Sequence, residues 1–174
     1  PWAAEVFSSA GMLADGELSP LWSLVPNILR LNDSPLAVTA LVFSAVIAAL
    51  AFTMGWRDRF AAFWLWYVLF CLYTRNPLIA NPALPDVGWM LLAHLCIPSS
   101  PYGSFVARSR THPSGNWVMP AAIFSAASVV LALSYSYSGY TKLLSPSWVS
   151  GDTVAYVLQN PLARDWWLRD LFLS

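Results

Sequence analysis

The formal charges of this chain are spaced so widely that they leave four uncharged runs: 23 residues from Ser34 to Trp56, 15 from Phe60 to Thr74, 21 from Val87 to Ala107 and 31 from Thr111 to Thr141. A helix of about 20 mainly apolar residues crosses the hydrocarbon layer of a bilayer, where only helices and closed barrels satisfy their own backbone polar groups. Charged residues make up 10% of the chain and hydrophobic ones 57%, whereas a soluble domain carries about 25% charged residues to cover its surface. These features predict an all-α, polytopic helical membrane protein with about four transmembrane or partly re-entrant helices, flanked by interfacial amphipathic helices. A soluble enzyme is excluded. So is a nucleic-acid partner, because the formal net charge is zero and no basic block supplies an electrostatic footprint.

Composition divides the chain into a mixed segment over 1–33, a helix bundle over 34–142 and a Trp-rich interfacial tail over 143–174. In the first segment Ser19-Pro20 reads as a helix start. Leu21, Leu24, Val25, Ile28 and Leu31 then follow at helical spacing, as in an amphipathic helix lying in the membrane interface and bent at Pro26. The first span runs from Pro35 to Trp56, opened by Asp33-Ser34-Pro35 and closed by Gly55-Trp56. The second, Phe60 to Thr74, is short for a bilayer and dense in aromatic residues: Phe60, Phe63, Trp64, Trp66, Tyr67, Phe70 and Tyr73. The third, Val87 to about Ile97, either begins near Pro82 or is a partial helix, and Pro98-Ser99-Ser100-Pro101 stops it. The fourth extends from Trp117 to Tyr140. In the tail, Asn160-Pro161 opens a short interfacial helix over Leu162 to Leu173, with Trp166 and Trp167 at headgroup level.

Small residues recur every four positions at Ala40, Ser44 and Ala48 in the first span, and at Ala122, Ala126, Ser134 and Ser138 in the fourth. In lipid such stripes mark where helix backbones approach closely. The aromatic face of the second helix suits lipid contact and helix packing, or contact with a quinone or pigment. Cys71 and Cys96 lie in apolar runs, where a thiol behaves as a small hydrophobe rather than half of a disulfide. His94 is an intramembrane ionisable group if the third stretch is embedded; a helix backbone or nearby Ser would also satisfy a neutral imidazole. No second His, Asp or Glu lies near it in sequence to form a metal set, and neither a phosphate-binding glycine loop nor a nucleophile elbow is present.

Two motifs together, Arg75-Asn76-Pro77-Leu78-Ile79 followed by Asn81, and Ser138-Gly139-Tyr140-Thr141-Lys142-Leu143 followed by Ser147-Trp148 and Gly151, carry a resemblance. The chain resembles the horizontally transferred transmembrane domain family, the bacterial relatives of the membrane domain of vitamin K-dependent gamma-glutamyl carboxylase. The Gly55-Trp56-Arg57 turn, the aromatic second helix and the Pro98 stop follow in the family's order. The resemblance implies that Lys142 matches the lysine that deprotonates reduced vitamin K, a role that requires an amine with a lowered pKa. No histidine stands in the Arg75 to Asn81 block, where the family's catalytic histidine would lie, and the chain ends 32 residues after Lys142. Both departures weigh against carboxylation. Read from the residues alone, Lys142 snorkels to the headgroups, while Arg75 caps carbonyls and fixes a re-entrant loop in which the Asn76-Pro77 and Asn81-Pro82 pairs form turns.

The expected function is therefore a non-catalytic integral membrane subunit that packs onto a larger bacterial complex, photosynthetic or respiratory. The alternatives are a carboxylase- or epoxidase-like enzyme acting with a lipid quinol, with Lys142 as base, and a quinone- or lipid-binding membrane protein. Expected partners are the lipid bilayer and other integral membrane proteins, with no cofactor and no metal required by the sequence. The expected location is the bacterial inner membrane, crossed several times. Arg57 and Arg59 after the first span and Arg108 and Arg110 after the third put those connections in the cytoplasm by the positive-inside rule. The N-terminus then falls outside, which leads to the expectation of a further helix upstream.

Overall fold

The computed structural model describes residues 2–13, 15–19, 22, 26–77, 83–100, 104–108, 118–159, 167 and 169–170. Among them the regular structure is entirely helical: α1 (Trp2–Phe7), α2 (Pro35–Met54), α3 (Asp58–Arg75), α4 (Ala83–Leu95), α5 (Ala121–Leu144), α6 (Pro146–Val149) and α7 (Asp152–Gln159). Two of these, α2 and α5, are long and apolar enough to cross a membrane. The chain forms two compact units, Pro1–Ser128 and Val129–Ser174, and α5 runs through the division.

Local chemistry explains the helix limits. Ser34 caps α2 by accepting the Ala37 N–H, and Pro35 occupies the first turn, where its missing N–H leaves nothing unsatisfied. At the other end Gly55 is left-handed with φ of 76°, and its N–H returns to the Ala51 and Phe52 carbonyls. A Cβ at Gly55 would also lie 2.6 Å from the Ser104 side chain, so only glycine fits this turn. Asp58 begins α3 and Arg75 ends it, signs that complement the helix dipole at both ends. The helix therefore extends beyond both predicted ends of the Phe60–Thr74 run. α4 starts at Ala83, close to the earlier of the two expected starts. Its 13 residues reach about 20 Å, short of a bilayer's hydrocarbon thickness of about 30 Å.

α3 packs against both α2 and α4. Trp64 meets Ser44 and His94 meets Asp58, so the three helices run alternately up and down. On α2 the buried positions are Val38, Leu41 and Ala48, with Ala45 packed beside them. From α3, Ala61, Ala62, Val68 and Cys71 face inward. The stripe expected on α2 is thus only partly on the packed face: Ala48 is buried, Ser44 half-buried and Ala40 exposed. The seam packed within the chain starts at Val38 and steps by three or four residues.

The amphipathic helix predicted over Leu21 to Leu31 is not formed in the described part of that stretch. Asn27 is extended, and a single 3-10 turn, Ile28–Arg30, follows it. Pro26 has no N–H to continue a helix, and Asn27 uses its side chain elsewhere, as described below. The N-terminal segment instead supplies α1, whose Ala3 and Phe7 join Trp22, Leu29, Val38, Leu41, Val68 and Cys71 in one core cluster. In the second unit α6 and α7 pack together. The tail helix predicted from Leu162 lies largely outside the described residues.

Candidate functional site

The polar side chains of the first unit gather at the two ends of α3. At its C-terminal end Arg75 and Asn76 are completely buried and Thr74 nearly so. Arg75 pairs with Asp33 at 3.0 Å, and its guanidinium lies 5.5 Å from the centre of the Trp22 ring. Asn76 donates to the Val6 carbonyl at 2.8 Å. Asn27 donates to the Cys71 carbonyl at 3.0 Å and to Thr74 Oγ1 at 2.9 Å, while its own oxygen accepts the Leu29 N–H. Tyr67 donates to the Pro26 carbonyl and accepts from the Ile28 N–H, each at 3.1 Å. These bonds pin residues from α1 to Asp33 across the end of α3. Arg75, expected to cap local carbonyls, is seen to pair with an aspartate 42 residues earlier and to lie against an indole. Asn81 and the loop around it lie outside the described residues.

At the N-terminal end, Asp58 is buried and accepts from His94 Nε2 at 2.9 Å and from the Ser100 N–H at 3.2 Å. The His94 ring stands edge-on to Phe52 with centroids 4.6 Å apart. Arg59 donates through Nε and Nη2 to the Ile97 carbonyl, and Val106 N–H reaches the Met54 carbonyl. His94 is therefore satisfied, but by a carboxylate on another helix rather than by a backbone or Ser group. Sequence spacing gave no sign of it, because the partner lies 36 residues away. The available clue was an aspartate between two arginines at a helix start, in a chain with few charges.

Between these ends the aromatic residues of α3 form two rows. Trp64 and Tyr67, with centroids 5.8 Å apart, face α2 and the N-terminal segment, and the Trp64 indole donates to Ser44 Oγ at 3.0 Å. Phe63, Trp66 and Phe70 follow one another at 5.9 Å steps. Trp66, Phe70 and Tyr73 then line a half-open groove of about 280 Å³ against Leu84, Gly88 and Trp89 of α4. A planar or chain-like apolar molecule matches such a lining. Among the described residues, no group of three or more His, Cys, Asp or Glu gathers to hold a metal ion.

Lys142 belongs to the second unit. It is exposed in the last turn of α5, with Nζ 4.7 Å from the centre of the Trp148 ring. Asp152, ten residues on, accepts instead from Ser150 at 2.6 Å. Ala122 and Ala126 are exposed, and Ser134 and Ser138 half-buried. Cys71 is buried and Cys96 exposed, both as free thiols. Searches against protein-family models, curated proteins and solved structures found no match to this chain.

Proposed function

We propose that the protein is a non-catalytic, multi-pass subunit of the bacterial inner membrane that docks on a larger integral membrane assembly. The carrying observation is the apolar exposure of its longest helices. No residue of α5 is buried, and Phe124, Leu133, Leu143 and Leu144 are each more than 60% exposed. On α2 the outward residues Leu36, Phe43 and Leu50 are likewise open. Patches of this extent do not persist in water and mark a lipid or protein interface. Lipid covers part of them, while Ala122 and Ala126 on α5 give the flat surface against which a partner helix packs closely.

The polar ends of α3 support the same reading. The helix has 18 residues, about 27 Å at 1.5 Å per residue, and carries its charges only near its ends. The turn after α2 and the segment after α4 join through the Val106–Met54 bond, which brings Arg57, Arg59 and Arg108 to one end. That end faces the cytoplasm by the positive-inside rule. Lys142, exposed and stacked on Trp148, matches an interfacial anchor better than a desolvated base. The family reading remains that of a horizontally transferred transmembrane domain whose carboxylase chemistry is not retained. A quinone- or lipid-binding role is a second reading, supported by the aromatic groove between α3 and α4. Photo-crosslinking from position 126 in intact membranes tests the leading reading. Adducts to a defined membrane protein support it, and adducts to lipid alone overturn it.

A further inference from the structure

The turn between α2 and α3 contains the only tight alternation of charges in the bundle, Arg57-Asp58-Arg59, and the fold gives each a different fate. Asp58 is buried and committed to His94 and the Ser100 N–H. Arg59 is committed to the Ile97 carbonyl. Arg57 is exposed, held left-handed with φ of 47°, and its guanidinium lies 5.9 Å from the centre of the Trp56 ring. A non-glycine residue in that region is strained, and such strain collects at ligand clamps. The carboxylate that would have neutralised it is turned away.

Arg57 and Trp56 stand at the mouth of a half-open groove of about 340 Å³ between α2 and α3. Its floor is made of small residues, Ala48 and Ala51, and its far end carries Ser44 and Trp64, whose polar atoms satisfy each other. The volume lies at the low end of ligand sites, about 300–1,000 Å³, enough for part of one hydrocarbon chain. An unmatched guanidinium beside an indole, at the end of an apolar slot, presents charge to a phosphate and hydrocarbon to a chain. We infer that this groove holds an acyl chain of an anionic phospholipid whose phosphate pairs with Arg57. Charge complementarity selects that occupant over a zwitterionic lipid, whose own cation competes for the phosphate.

The inference rests on the membrane reading above, and the test separates the two. Full-length protein is reconstituted with equal phosphatidylglycerol and phosphatidylcholine, re-extracted in mild detergent, and its retained lipid quantified by mass spectrometry. Wild type is expected to keep phosphatidylglycerol stoichiometrically and lose phosphatidylcholine. Arg57→Gln should lower retention about tenfold, the scale of one charge-assisted contact, with Arg57→Lys intermediate and Arg108→Gln unchanged. Ala51→Phe, which fills the slot, should remove the retained lipid. Equal retention of both lipids, or no response to Arg57→Gln in folded protein, overturns the inference while leaving the membrane reading intact. Release of the native protein from membranes by alkaline carbonate overturns both.

Discussion

Asp58 and His94 meet at 2.9 Å between the first residue of α3 and the last turn of α4, and this contact ties both helices to the loop at Ser100. The carboxylate is shared by two half-buried donors, so its loss takes an acceptor from each of them. Asp58→Ala is expected to cost about 2–3 kcal/mol in detergent-solubilised unfolding. Asp58→Asn, which keeps one acceptor, should cost about half as much. Equal stability of all three proteins would show that the contact does not hold the helices.

At the opposite end, the pair Arg75–Asp33 joins a fully buried guanidinium to a carboxylate that is 27% exposed. Removing one partner of a buried pair costs about 3–5 kcal/mol, and the partial exposure of Asp33 and the further contacts of Arg75 put this case at the lower figure. Asp33→Asn should cost about 3 kcal/mol. A double-mutant cycle with Arg75→Met should return a coupling of about 2 kcal/mol. Additive effects of the two changes would assign the burial of Arg75 to Trp22 and the remaining contacts.

The helices of the bundle were legible because their signals are local. Ser34-Pro35 and Gly55 mark the ends of α2 by capping chemistry that works within four residues. The polar ends of α3 were legible only in part. Arg75 and His94 stood out as ionisable groups in apolar surroundings, but their partners Asp33 and Asp58 are distant in sequence, and spacing carries no signal across 42 or 36 residues. Asn27 escaped notice for a different reason. The periodicity of Leu21 to Leu31 favoured a helix, and the competing demand, two long-range bonds from the Asn27 amide to α3, won locally. The four-residue repeat Ala40, Ser44 and Ala48 coincides only in part with the face of α2 packed within the chain, which follows the larger Val38 and Leu41 together with Ala48.

Ser44 accepts the Trp64 indole N–H and itself donates to the Leu41 carbonyl. Ser44→Ala should cost about 1–2 kcal/mol by leaving the indole unpaired. Ser44→Leu should cost more, because the added bulk enters the packed α2–α3 seam. Ala126 is exposed, so Ala126→Leu should leave thermal stability within about 0.5 kcal/mol yet weaken co-purification with the partner. Unchanged assembly in Ala126→Leu would remove α5 from the docking surface.

Lys142 separates the subunit from the enzyme. With its ammonium exposed and stacked on Trp148, Lys142→Met should cost at most about 1 kcal/mol and leave assembly intact. Quinol-dependent carbon dioxide incorporation by purified protein, abolished in Lys142→Met, would establish the catalytic alternative.

The central claim, that the chain is a docked membrane subunit, is tested most directly by its stoichiometry in native membranes. A tagged copy expressed at natural level is solubilised in mild detergent, purified, and its companions quantified by mass spectrometry beside the mass of the intact particle. The expected result is a particle far above the 19.2 kDa of the chain, containing other integral membrane proteins in fixed whole-number ratio to it. A particle holding this chain alone, with lipid and detergent making up the rest, would contradict the account.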